Sequence, residues 1–169
     1  PVNVAVYIKQ LGGNTSYVGA VGTDEFGELI VSELTKQGVD VSNVQVVEGS
    51  TAVTMVEIIN NERIFGDYSE GVMENFSLTE ENIEFIKEHD LVVSGYWGNV
   101  HDNFKEFKES GLKTAFDFAT NISGEIVETT LPYVDYAFFS DDELNEADIK
   151  SFMENTHLKG PSLVIVTKG

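Results

Sequence analysis

The sequence predicts an α/β fold, a parallel sheet flanked by helices with a small β-hairpin set into it. Three observations predict this. Short apolar β-type runs, such as Leu91-Val92-Val93-Ser94 and Leu163-Val164-Ile165-Val166-Thr167, alternate with stretches of helical spacing. Those runs are apolar at consecutive positions, the pattern of strands covered on both faces. Residues 51–65 break the rhythm with two β-rich runs around Asn60-Asn61, the pattern of a hairpin.

Taken in order, residues 2–11 read as a short helix stopped by Gly12-Gly13. Thr15 to Val21 reads as a strand ended by Gly22. Asp24 is placed to cap a helix carrying Phe26, Leu29, Ile30 and Leu34, which Gly38 closes. Thr51 to Ile59 and Glu62 to Phe65 form the hairpin, which reads as an insertion or lid over about residues 51–66. Ser77 and Glu80 fit a capping box for a helix that turns Ile83 and Ile86 inward. A strand over 91–94 is followed by a helix from Val100 to Glu109, a strand from Thr114 to Phe118 and a short helix ending near Pro132. The strand Tyr136 to Ser140, a helix after Asp141 carrying Leu144, Phe152 and Met153, and the strand Leu163 to Thr167 complete the chain.

Composition excludes several classes. With 41% hydrophobic residues among 169, the chain has the apolar content that disordered segments lack. A net charge of −19 repels phosphate chains and argues against a nucleic-acid partner. No apolar run approaches the roughly 18 residues of a membrane span, and no signal peptide is visible, so the expected location is cytoplasmic. Cysteine is absent, which removes disulfides and thiolate metal sites. Phosphate-loop, nucleophile-elbow and H-E-x-x-H patterns are missing, and His89, His101 and His157 lack ligand spacing. The chain opens at Pro1 without an initiator Met and its final β-run breaks off in a turn, so it reads as a segment cut at both ends.

Ligands of open α/β sheets bind outside the carboxyl ends of the strands. Here those ends are Ser94-Gly95-Tyr96-Trp97, Asp117-Phe118, Ser140-Asp141-Asp142-Glu143 and Thr167-Lys168-Gly169. Each apolar strand runs directly into polar or glycine residues. Asp141-Asp142-Glu143 suits Mg²⁺ shared with a substrate phosphate. The same acids equally suit the start of a helix, where they complement its dipole.

Several motifs together resemble the PfkB-type (ribokinase-like) carbohydrate kinases. Pro1-Val2-Asn3-Val4-Ala5 with Gly12 and Gly22 is similar to the family's N-terminal signature without its opening glycine pair. Val21-Gly22-Thr23-Asp24-Glu25-Phe26-Gly27 resembles its G-x-D-x-x-G segment, and Gly38-Val39-Asp40 resembles the triplet before its lid strands. Ser140-Asp141-Asp142-Glu143 and Thr167-Lys168-Gly169 stand where the family has N-x-x-E and T-x-G. Within the family, Arg63 to Val72, Tyr96-Trp97-Gly98 and Ala115-Phe116-Asp117-Phe118 are similar to the bacterial fructoselysine 6-kinase subgroup.

The resemblance implies a ribokinase-like sheet with a β-lid, of which residues 1–169 form part. It implies ATP-dependent phosphorylation, with Mg²⁺, of the 6-hydroxyl of a fructosyl-amine. It puts Asn3, Arg63, Tyr96 and Trp97 at the sugar, and Ser140, Glu143, Thr167 and Gly169 at the nucleotide, with Glu143 also placing the metal. No catalytic residue is assigned, because the family's G-A-G-D segment, with the base that takes the sugar proton, lies beyond Gly169 in relatives. The segment alone is therefore expected to be inactive. Relatives often pair through the lid, which implies a homodimer. Fructokinase or another sugar kinase of the family, and a sugar-binding module without phosphoryl transfer, remain as alternatives. Two departures stand out: Ser140 replaces the family's Asn, and Asp117-Phe118-Ala119-Thr120-Asn121 does not reproduce its D-x-N-x-R.

Overall fold

In the computed structural model, which describes residues 2–60 and 62–168, helix α1 spans Val2–Gln10. It stops where Gly12 takes a φ of 94°, a left-handed backbone that glycine adopts without a Cβ penalty. The N–H groups of Gly12 and Gly13 then donate to the carbonyls of Lys9 and Ile8, both at 3.0 Å, which satisfies two orphan acceptors of the last turn. The chain divides into two compact units, residues 2–77 and 78–168, each described by itself.

In the first unit, β1 is Gly19–Gly22, buried at all four positions, and α2 is Glu25–Lys36. Asp24 caps α2 as the sequence suggests, its side chain accepting from the Gly27 N–H. The expected strand from Thr15 is shorter than predicted, with only a bridge between Ser16 and Asp40 ahead of Gly19. Strand β2, Val44–Val47, was not expected. It pairs in parallel with β1 from Gly19↔Val44 to Gly22↔Val47. Four residues in a polar stretch carry too little periodicity to announce a strand, and pairing with β1 is what makes it one.

The hairpin is present. Strand β3, Val53–Ile59, pairs antiparallel with β4, Glu62–Ser69, so the second strand runs on to Ser69. Asn60 takes the left-handed φ of 53° that a tight hairpin turn requires, while Asn61 lies outside the described residues. Among the described residues, the two strands pair only with each other. Both faces stand open, with Ile58 76% exposed on one and Ile64 46% exposed on the other. A 3-10 turn over Gly71–Asn75 follows.

The second unit carries the parallel sheet: β5 Leu91–Gly95, β6 Lys113–Asp117, β7 Tyr136–Ser140 and β8 Leu163–Thr167, side by side in that order. Helix α3 is Glu80–Lys87, but its cap is Thr79 and not Ser77. The Thr79 hydroxyl accepts from Asn82 N–H at 3.1 Å and the Asn82 carbonyl oxygen accepts from Thr79 N–H at 3.2 Å. Asn82 thus takes the reciprocal role usually filled by Glu or Gln. After β5 come two 3-10 turns, Tyr96–Gly98 and His101–Asn103, and only then α4, Phe104–Glu109. The helix expected from Val100 starts late because its first turn is wound as the 3-10 turn His101–Asn103, with the Asn103 N–H donating to the Val100 carbonyl at 3.1 Å. Helix α5 is Glu125–Thr130. Helix α6, Glu146–His157, starts at an Asn145 cap, so Leu144 lies before it. The delay has a local cause: the Asp141 carboxylate accepts the N–H groups of Glu143 and Leu144 and closes a turn of its own.

Phenylalanine rings tie this unit together. Phe107, Phe104, Phe116, Phe118, Phe139 and Phe152 touch in sequence, from α4 across β6 and β7 to α6, with centroids 4.6–5.9 Å apart. Five of them are almost fully buried.

The amino ends of the strands are closed by a polar knot. Asp135 is 5% exposed. Its carboxylate accepts from the Thr114 N–H at 3.0 Å and meets Lys108 at 2.6 Å and Lys113 at 3.6 Å, while the Thr114 hydroxyl donates to the Tyr133 carbonyl at 2.7 Å. Burial pushes the Asp135 carboxyl up, but the Lys108 ammonium, the Thr114 amide and the Lys113 charge more than offset this and hold it below the usual carboxylate range. A depressed value stabilises the folded state above the ordinary carboxylate range, and that contribution is lost as pH falls through the folded value. Asp135→Asn in the complete gene product is therefore expected to cost about 3 kcal/mol at neutral pH. The gap between its denaturation midpoint and the wild type's should narrow as the medium is acidified below pH of about 4; a gap independent of pH would refute the assignment.

Candidate functional site

At the opposite end of the sheet, β6, β7 and β8 finish on one polar rim. Register places Ser140 directly beside Thr167, and their hydroxyls lie 3.0 Å apart. The Thr167 hydroxyl is also within hydrogen-bond reach of the Phe139 carbonyl, at 3.3 Å. The Asp141 N–H donates to the Thr167 carbonyl at 3.0 Å, and Lys168 reaches the Leu144 carbonyl at 3.4 Å. The loop 140–144 is thereby fastened along its length to the end of β8.

The end of β6 is fastened to the same loop. The Asp117 carboxylate accepts the Ala119 N–H at 2.9 Å, and the Ala119 carbonyl accepts the Ser140 N–H at 2.7 Å. Ala119 has a φ of 52°, a left-handed conformation that costs an L-residue roughly 1–2 kcal/mol. The Ser140 bond and the buried Phe118 beside it hold the turn in that shape. Ala119 was missed as a residue with a role. Alanine carries no turn signal, so only the departure of Asp117-Phe118-Ala119 from the family stretch marked the place.

The structure brings Ser140 and Thr167 together, and Glu143 follows on the loop that leaves Ser140. Glu143 is exposed on the loop, its N–H held by Asp141 at 2.9 Å. Tyr96 and Trp97 stand at the end of β5 on the same sheet, two strands away from β7, with rings in edge contact at 5.2 Å. Trp97 is 64% exposed. Asn3, in the first turn of α1, and Arg63, on β4, are exposed residues of the first unit. Gly169 lies outside the described residues. Among the described residues, no group of three or more His, Asp or Glu side chains is placed to hold a metal ion unaided. No helix among them is long and apolar enough to cross a membrane.

Parallel strands ending in a rim of hydroxyls, carboxylates and tight turns make a place for a polar ligand. The whole chain, residues 1–169, matches the family model described as pfkB family carbohydrate kinase. The chain belongs to the pfkB family. It is similar to the fructoselysine 6-kinase of Shigella flexneri, 38% identical over 168 residues that make up 99% of this chain and 64% of that relative. The chain thus spans less than two thirds of that relative's length. Among solved structures, the ribokinase of Thermotoga maritima superposes with a TM-score of 0.75 at 18% identity, over 99% of this chain and 58% of that one. The fructokinase of Xylella fastidiosa with bound ATP gives 0.73 at 18% identity, over 100% of this chain and 60% of that one. These two likenesses show the fold: this pfkB chain is α/β and ribokinase-like, as its motifs implied.

Proposed function

We propose that this pfkB-family chain is part of an ATP-dependent kinase that phosphorylates the 6-hydroxyl of a fructosyl-amine such as fructoselysine. The observation that carries the reading is the stitched rim, where Ser140, the 141–143 loop and Thr167 are held at the carboxyl ends of adjacent parallel strands. Phosphoryl transfer depends mainly on positioning and on compensating charge, and a rim fixed by backbone bonds supplies positioning.

In this reading one hydroxyl of the Ser140–Thr167 pair donates to a nucleotide phosphate while the other orients it, and Gly169, outside the described residues, is assigned to the same phosphates. Mg²⁺, which takes one or two carboxylates plus phosphate oxygens and waters, fits a loop that offers Glu143 but no closed cage of carboxylates. That ion would neutralise phosphate charge, and Glu143 is the side chain assigned to hold it. The resemblance assigns the sugar to Asn3 and Arg63, whose amide and guanidinium suit hydroxyls, and to the aromatic pair Tyr96 and Trp97. None of the described residues is assigned as the base for the sugar hydroxyl. The hairpin acts as a lid that excludes water, without which a kinase would hydrolyse its nucleotide. Its open apolar residues, among them Ile58 and Phe65, support pairing with a second copy through the lid. The reading places the protein in the cytoplasm.

The test is a coupled ATP-consumption assay on the complete gene product with Mg²⁺, offering fructoselysine, fructose and ribose. Turnover of fructoselysine, with phosphate found on the 6-oxygen, is expected. Turnover of fructose without fructoselysine would move the assignment to fructokinase, and no turnover with any sugar would refute the kinase reading.

A further inference from the structure

The hairpin leaves the first unit through a root that is far more constrained than the hairpin itself. On the entry side, the Thr51 N–H donates to one oxygen of Asp24 at 2.8 Å, and the Thr51 hydroxyl donates to the other at 2.5 Å. That hydroxyl also accepts from the Gly22 N–H at 2.9 Å, so its proton is committed to Asp24. The Gly27 N–H donates to the same Asp24 oxygen at 2.9 Å. On the exit side, the Val72 N–H donates to the Ser50 carbonyl at 2.9 Å, which ties the end of the hairpin to its beginning. Thr51 is 3% exposed, although the strand it leads into is open to solvent.

Close backbone approach locks this crossing. A Cβ on Gly22 would lie 2.3 Å from the Gly49 carbonyl oxygen, and one on Gly27 would lie 2.1 Å from the Gly22 carbonyl oxygen. Gly71, with φ of 51°, has the Ser50 carbonyl oxygen where its Cβ would go. Among the described residues the hairpin's strands pair with no other strand, so its direction is set at this root.

We propose that Asp24 is a positioning residue, which acts through Thr51 to fix the direction in which the hairpin stands. The proposal rests on the reading of the hairpin as a lid over the sugar. Seven residues of strand at about 3.3 Å each make a lever of about 20 Å, so a tilt of about 5° at the root moves the far end by roughly 2 Å. Displacements of that size matter, since Arg63, the sugar contact that the reading assigns to the hairpin, loses a hydrogen bond when donor and acceptor part by about 1 Å. A second observation agrees with a carboxylate in this role. The Thr51 hydroxyl, the Thr51 amide and the Gly27 amide hold the Asp24 carboxyl below the usual carboxylate range. All three partners are donors, and only an acceptor with two oxygens serves them together.

Asp24→Asn is the direct test, because the introduced amide nitrogen faces the Thr51 N–H donor to donor while the helix cap to Gly27 is kept. In the complete gene product it is expected to raise KM for the fructosyl-amine about tenfold, with kcat and KM for ATP within about twofold of wild type. Backbone hydrogen exchange should quicken over residues 53–59 and 63–69 while β5 to β8 are unchanged. Thr51→Val should reproduce both effects, and Thr51→Ser, which keeps the hydroxyl, should restore wild-type behaviour. A lowered melting temperature with KM and hairpin exchange unchanged would reduce Asp24 to a helix cap and overturn the proposal. Should Asp24→Asn fail to fold, Thr51→Val is read by the same two measurements and decides. If the wild-type protein turns over no sugar, the kinase reading fails separately. Hairpin exchange alone then decides: faster exchange in the variant sustains the positioning role, and unchanged exchange overturns it.

Discussion

Glu143→Gln in the complete gene product is expected to lower kcat about 100-fold, with KM for the sugar changed by less than about threefold. The expectation follows from where the charge sits. The Glu143 backbone is fixed by Asp141 and its side chain is exposed on the loop that leaves Ser140. The amide variant keeps the shape of the loop, so folding should be untouched and the loss should come from the missing negative charge. A group that works only as phosphate charge is rearranged lowers kcat when removed, whereas a group that merely binds substrate raises KM. The check is steady-state kinetics across a Mg²⁺ titration: the variant should need more Mg²⁺ for its half-maximal rate. Unchanged kcat at every Mg²⁺ concentration would take Glu143 out of the site.

Phe118→Ala should destabilise the protein by about 4 kcal/mol, the largest effect on stability expected of any side chain discussed. The ring has no exposed surface and stacks on Phe139 at 4.8 Å with an interplanar angle of 11°, while Phe116 lies 4.6 Å away. Its removal opens a cavity between stiff aromatic neighbours that cannot close around it. Against a typical total stability of about 5–15 kcal/mol, such a loss shows directly as a lower denaturant midpoint. Phe118 also sits between Asp117 and the left-handed Ala119, and its N–H donates to the Phe138 carbonyl at 2.8 Å. Exchange of the Ser140 amide, which donates to Ala119, should therefore quicken in the same variant. A loss below about 1 kcal/mol would mean that the ring ladder is not the core of this unit.

Much of the architecture was legible beforehand because it is local. Asp24 ahead of a helical apolar pattern, Gly12 and Gly38 past helix ends, and Asn60 between two β-rich runs each act over a few residues. Strands β5 to β8 were legible because both faces of a covered parallel strand are apolar. The misses share one cause. Strand β2 exists by pairing with β1, the cap of α3 moved to Thr79 because Asn82 reached back, and α6 began late because Asp141 took two amides for its own turn. In each case side-chain hydrogen bonds or strand pairing competed with the pattern that the linear chain displayed.

The candidate site divides in the same way. The residue types at the strand ends, and their likeness to the pfkB motifs, could be read along the chain without any coordinates. That Ser140 and Thr167 share a hydrogen bond across a sequence separation of 27, and that Ala119 is bent to receive the Ser140 amide, could not. By itself the sequence determined most of the segments that become strand, helix and hairpin, and which family they compose, because periodicity and turn chemistry are properties of neighbours in the chain. Only the tertiary structure decided which hydroxyls and carboxylates meet, since parallel register joins residues that no local preference brings together.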